Sequence, residues 1–112
     1  MTAANYNLLI DQGSDFAIQL TLSESGVAKD LTGYSARGQL RSKKISDVVT
    51  ATFVCTVINP ENGVLTMELA NATTADIPAG LYYYDLELYT SGDSNVTRLL
   101  EGQATVSQEV TR

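Results

Sequence analysis

The chain has 112 residues, a net charge of −6 from 13 acidic and 7 basic side chains, one cysteine and no histidine. That charge excludes sequence-independent binding to nucleic acid, which needs a basic footprint. A lone cysteine excludes an internal disulfide, and the lack of histidine removes the commonest general base and transition-metal ligand.

The length predicts a single domain over residues 1–112, long enough to bury a core of its own. Met1–Asn5 has neither a charged n-region nor an apolar h-region, so no export signal is expected. No apolar run approaches the roughly 20 residues of a membrane-spanning helix, so no membrane partner is expected. From there the dominant period is two, the signature of strands. The first strand is predicted over 5–11 and, after Gly13-Ser14, a second over 15–22, where Phe16, Ile18, Leu20 and Leu22 alternate with polar or small residues. Turn signals at Glu24-Ser25-Gly26 and Thr32-Gly33 lead into a strand at 34–42. A strand at 49–58 alternates Ala51, Phe53, Cys55 and Val57, and Asn59-Pro60-Glu61-Asn62-Gly63 turns it into one at 64–69. Asn71 to Asp76 has the length of one helical turn, closed by Pro78 and Gly80. The last two strands, 81–90 and 96–107, flank the turn Ser91–Asn95.

Seven strands at this spacing predict an all-β antiparallel sandwich. Its expected core is Phe16, Ile18, Leu20, Phe53, Leu65, Tyr82, Tyr84, Leu86 and Leu100, with Cys55 a small buried apolar residue. The polar terminal segments Met1–Asn5 and Ser107–Arg112 are expected to be ordered by a neighbour.

Alternation splits the triplet Tyr82-Tyr83-Tyr84. Tyr82, Tyr84, Leu86 and Leu88 share the core face, while Tyr83, Asp85, Glu87 and Tyr89 share the outer one. Tyr82 follows a tight corner, the place of a tyrosine corner whose hydroxyl bonds upstream backbone. The outer four are the candidate contact face, for a partner subunit or a sugar. The plainer alternative is an exposed sheet face held by cross-strand pairs, with Arg37 and Arg41 as partners.

No catalytic, cofactor-binding or metal site is predicted. Two carboxylates side by side on one strand do not supply the opposed pair of a glycosidase. Asp11, Asp15, Asp30, Asp76 and Asp93 fall at turns, without the ligand spacing of a calcium loop. Serine and threonine lack an activating histidine, and there is neither a nucleophile elbow nor a glycine-rich phosphate loop.

The segments "YNLLIDQGSDFAIQLTL", "DLTGYSARGQLRS" and "GVLTMELANATTADIPAGLYYYDLELYTSGDSNVTRLLEGQATVSQEVTR" resemble a family of small tailed-bacteriophage virion proteins. They are similar to the N-terminal immunoglobulin-like module of phage baseplate upper proteins. The features shared are Asp11-Gln12-Gly13, Leu31-Thr32-Gly33-Tyr34, Ile77-Pro78-Ala79-Gly80, Tyr82, Tyr84-Asp85-Leu86 and Thr97-Arg98-Leu99-Leu100-Glu101-Gly102. The resemblance implies an immunoglobulin-like sandwich and a non-enzymatic structural protein of the virion, tail- or baseplate-associated. It implies many symmetry-related copies whose partners are other virion proteins. The alternatives are capsid decoration, or a carbohydrate or host-receptor binding module using Tyr83 and Tyr89.

Overall fold

All seven alternating segments fold as strands. The structure, a computed structural model, describes residues 4–24 and 26–111. In chain order the strands are β1 (Ala4–Asn5), β2 (Leu8–Asp11), β3 (Phe16–Thr21), β4 (Ser23–Glu24), β5 (Val27–Ala28), β6 (Ser35–Arg41), β7 (Ala51–Asn59), β8 (Val64–Leu69), β9 (Gly80–Tyr89) and β10 (Val96–Ser107). The expected helical turn is α1 (Asn71–Ala75), between β8 and β9. The first predicted strand is split into β1 and β2. The β4–β5 hairpin was read only as a turn, because two-residue strands carry no period.

The strands pair in the order β1-β10-β9-β6-β7-β8-β3, with β2 also on β10. Strand β7 makes the bend. Its residues Ala51 to Phe53 pair with β6, whereas Val54 to Asn59 pair with β8. One strand thus passes from one layer to the other and curls the sheet around the core.

The all-β expectation holds, but the antiparallel one needs correction. Strands β1 and β2 run parallel to β10, with Ala4 opposite Leu100 and Leu8 opposite Ala104. The sheet is therefore mixed and curled rather than a pair of separate antiparallel layers. Alternation fixes which side chains face inward but says nothing of strand direction. A strand so far from its partner in sequence has no hairpin to dictate one.

Phe53, Leu65, Tyr82, Tyr84, Leu86 and Leu100 are buried as expected, together with Ile10, Leu31, Leu40, Met67 and Leu88. The Phe53 ring lies 6.1 Å from those of both Phe16 and Tyr84. Phe16, Ile18 and Leu20 are only half-buried against this core, because β3 has a neighbour on one side alone. Leu99 is buried beside Leu100. A register shift between Arg98 and Leu100 breaks the alternation there, as a β-bulge does.

The terminal segments are another correction. Within the described residues, Ala4 and Asn5 pair with β10, Ser107 donates from Oγ to Asp11, and the Glu109 amide donates to Gln12 Oε1. Backbone and side-chain hydrogen bonds hold what apolar contacts do not. Met1, Thr2, Ala3 and Arg112 lie outside the described residues.

The tyrosine corner is formed. The Tyr82 hydroxyl donates to the Pro78 carbonyl at 2.6 Å while its ring is buried. Tyr82→Phe is expected to cost roughly 0.5–1.5 kcal/mol, as losing one such bond does, while Tyr83→Phe costs close to nothing. Denaturant midpoints of the two variants check this; equal midpoints would remove the corner's role.

Candidate functional site

Strand β9 lies between β6 and β10, so its outward side chains are flanked on both sides. Their exposure alternates as predicted: Tyr82, Tyr84, Leu86 and Leu88 are buried, and Tyr83, Asp85, Glu87 and Tyr89 are half-exposed. The register sets Arg37 opposite Glu87 and Arg41 opposite Tyr83 on the β6 side. On the β10 side it sets Arg98 opposite Glu87 and Glu101 opposite Asp85.

Arg37 is the hub. Its Nε donates to Glu87 Oε1 at 2.9 Å, and its two Nη atoms reach the Asp93 carboxylate at 3.3 and 3.4 Å. The guanidinium carbon sits 4.4 Å from the centre of the Tyr89 ring, within range of a cation–π contact. Gly92 and Asp93 both take positive φ, 68° and 56°, at the turn that carries the Asp93 carboxylate to Arg37. Glu87 first, then Asp93, raises the Arg37 pKa above its ordinary value.

A second ion pair lies alongside: Arg98 Nε is 3.5 Å from Asp85 Oδ2, and Arg98 Nη1 is 4.0 Å from Glu101 Oε2. Burial, and then the neighbouring Glu87 charge, raises the Asp85 pKa despite this arginine. Arg41 turns away from the carboxylates. It donates to the Ser46 carbonyl and, at 2.8 Å, to Gln39 Oε1. Lys44 Nζ stands 6.0 Å from the centre of the Tyr83 ring.

These groups surround a shallow depression of about 310 Å³ whose floor is the β6–β9 surface. Of the six expected contact residues, Arg37, Arg41, Tyr83, Asp85 and Glu87 line it, and Tyr89 lies just outside beneath Arg37. The cross-strand pairing foreseen for Arg37 is present, while Arg41 bonds a loop carbonyl instead of a carboxylate. Arg98, Glu101, Lys44 and Asp93 were missed. The bulge in β10 hides Arg98 and Glu101 from a period of two, and Lys44 and Asp93 arrive from turns.

Glu87 accepts a hydrogen bond from Arg37, Asp85 forms an ion pair with Arg98, and the two carboxylates stand at adjacent outward positions of one strand. This geometry offers no acid in an apolar pocket facing a base across a cleft. What it offers is a half-desolvated surface of alternating sign with two tyrosine rings. The composition suits a contact that is both aromatic and polar.

The turn aspartates hold their turns. Asp30 Oδ1 accepts from the Thr32 amide at 2.9 Å and its hydroxyl at 2.6 Å, which lowers its pKa. Asp15 Oδ1 accepts from the Asn71 amide and side chain. Among the described residues, no three histidine, cysteine or acidic side chains gather to hold a metal ion. No helix there is long and apolar enough to cross a membrane. Cys55 is half-buried, and burial pushes its thiol up to about 11.

No family model and no curated protein matches the sequence. Among solved structures, "Crystal structure of Listeria monocytogenes InlP" aligns with TM-score 0.49 and 18% identity, over 94% of this chain and 28% of that one. The structure titled "N-terminal domain of phage TP901-1 ORF48" aligns with TM-score 0.59 and 14% identity. That alignment covers 96% of this chain and 100% of the phage domain, so the two share a fold from end to end.

Proposed function

We propose that this chain is a non-enzymatic structural module of a tailed-bacteriophage virion, associated with the tail or baseplate, that acts by protein–protein contact. The observation that carries the reading is the fold shared over its full length with a phage domain of the same extent. In this reading the two layers joined through β7 work as one immunoglobulin-like sandwich. The face built by Tyr83, Asp85, Glu87, Tyr89, Arg37 and Arg41 meets a neighbouring virion protein in each of many symmetry-related positions. Of its charges, Arg37, Glu87 and Asp85 are already in ion pairs, with Asp93 and Arg98 as further partners, while Arg41 is held by the Ser46 carbonyl and Gln39. Covering such a face strands few unpaired charges, which keeps the desolvation cost of docking low.

A sugar-binding role for Tyr83 and Tyr89 would need open ring faces. A cation stands over each ring instead, Arg37 over Tyr89 and Lys44 over Tyr83. The test is a phage carrying Tyr83→Ala and Tyr89→Ala, with purified particles analysed for this protein and for adsorption to host cells. Particles that lack the protein, or hold a small fraction of the wild-type amount, are the expected result. Particles with a full complement that fail to adsorb would overturn the assembly role in favour of receptor binding. Electron microscopy of the wild-type particle separates a tail position from capsid decoration.

A further inference from the structure

The two edges of the sheet differ. At one, β1 and β2 are short, interrupted at Tyr6 and Asn7, and end in Asp11, all features that discourage pairing with another chain. At the other edge, β3 pairs with β8 alone. From Phe16 to Leu22 the sequence is FAIQLTL, without charge, proline or glycine. Among the described residues, none of the usual protections guards this edge.

The hydrogen-bond phase of β3 identifies the free groups. The Leu22 amide donates to the Gly63 carbonyl at 2.8 Å, and the register continues as Leu20 to Leu65, Ile18 to Met67 and Phe16 to Leu69. Bonded pairs alternate along an antiparallel ladder. The even-numbered residues therefore bond to β8, while Ala17, Gln19 and Thr21 point their N–H and C=O groups at the open side. The β4–β5 hairpin does not cover them, because the Lys29 amide bonds to Leu22 beside Gly63, on the β8 side.

We propose that this edge binds a second copy of the chain, β3 against β3 in antiparallel fashion about a two-fold axis through Gln19. In that register Gln19 faces its own copy, Ala17 faces Thr21 and Ile18 faces Leu20. All three outward residues of each copy then pair, and the strand satisfies itself without a shift. An isologous contact requires such self-complementarity. On the core side, half-buried Phe16, Ile18 and Leu20 gain the cover they lack. No like charges meet, even though each copy carries −6. The flanking Asp15, held by Asn71, falls opposite Ser23. Uncharged composition and self-matching register favour the chain itself over a foreign strand as occupant.

The inference stands apart from the virion role, since the isolated protein tests it. Sedimentation equilibrium is expected to show a monomer–dimer equilibrium. Gln19→Lys places two ammonium groups opposite each other at the axis and is expected to give a monomer with an unchanged circular dichroism spectrum. Register is tested in a Cys55→Ser background. Gln19→Cys should form an inter-chain disulfide on mild oxidation, because directly opposed Cα atoms lie about 5.5 Å apart. Ala17→Cys, offset from its own copy, should not. A monomer at every concentration overturns the proposal and leaves the edge to a foreign strand. So does a dimer that survives Gln19→Lys, or equal cross-linking of the two cysteine variants.

Discussion

Gly102→Ala is expected to destabilise the protein by roughly 2–4 kcal/mol, through overpacking and one buried group left without a partner. For a domain of this size that lowers Tm by on the order of 10–20 °C. Gly102 is needed for space rather than for an unusual backbone angle, since its φ is not positive. A Cβ there would fall on the Tyr6 carbonyl oxygen, 2.9 Å from its carbon and 3.0 Å from Asn7 Oδ1. None of these atoms is free to move aside. The Tyr6 amide donates to the Glu101 carbonyl at 3.0 Å, Asn7 Oδ1 accepts from the Gln103 amide at 3.1 Å, and the Tyr6 carbonyl accepts from the Tyr84 hydroxyl at 2.5 Å. Pushing the segment off β10 strands that hydroxyl inside the protein, where burial already drives the Tyr84 pKa up to about 12. A double-mutant cycle separates the parts. Tyr84→Phe alone should cost about 1 kcal/mol, and in the Gly102→Ala background it should cost nothing more. Fully additive losses in a thermal melt would mean that Tyr84 and the Tyr6 segment are not coupled.

The same segment shows where sequence stops being informative. Alternation located every long strand and told the buried tyrosines from the exposed ones, because a half-buried strand must repeat every two residues. It placed Arg37 against the outer face for the same reason. It could not show that β2 runs parallel to β10, that β7 divides itself between two layers, or that a bulge sets Leu99 and Leu100 both inside. Each of these is a decision about which distant backbone is paired, and side-chain type carries no record of it. The candidate face was legible to the extent that it lies on one strand. Arg98 and Lys44, which complete it, come from a bulged strand and a loop. Gly102 belongs to a shared motif in the sequence, and only the structure shows that it marks the place where another backbone passes.

Gln12 shows a motif whose reason lies in three dimensions. Its turn is made by Gly13, with φ 83°, but the side chain does more than turn. Gln12 Nε2 donates to the Ile77 carbonyl at 2.9 Å, and Oε1 accepts from the Glu109 amide at 3.0 Å and from Gln108 Nε2 at 3.2 Å. One amide thus ties the β2 turn to the corner before β9 and to the segment after β10, which explains the glutamine in Asp11-Gln12-Gly13. Gln12→Ala leaves the Ile77 carbonyl and the Glu109 amide unpaired and is expected to cost roughly 1.5–3 kcal/mol at every pH. Gln12→Glu behaves differently. The new carboxylate still accepts from the Glu109 amide, but its other oxygen meets the Ile77 carbonyl. The Glu109 carboxylate, which occupies the space beside Gly13, repels it. Folding therefore disfavours the charged form and raises the pKa of the new group above the ordinary glutamate value of about 4.3. A carboxyl raised on folding keeps its stability below the unfolded pKa and loses it as pH climbs through the folded one. Once protonated, the carboxyl can again donate to Ile77. Gln12→Glu should thus approach the wild-type urea midpoint below about pH 4 and fall toward Gln12→Ala at about pH 7. A Gln12→Glu protein as stable as wild type at neutral pH would show that the bond to Ile77 contributes nothing to holding the corner.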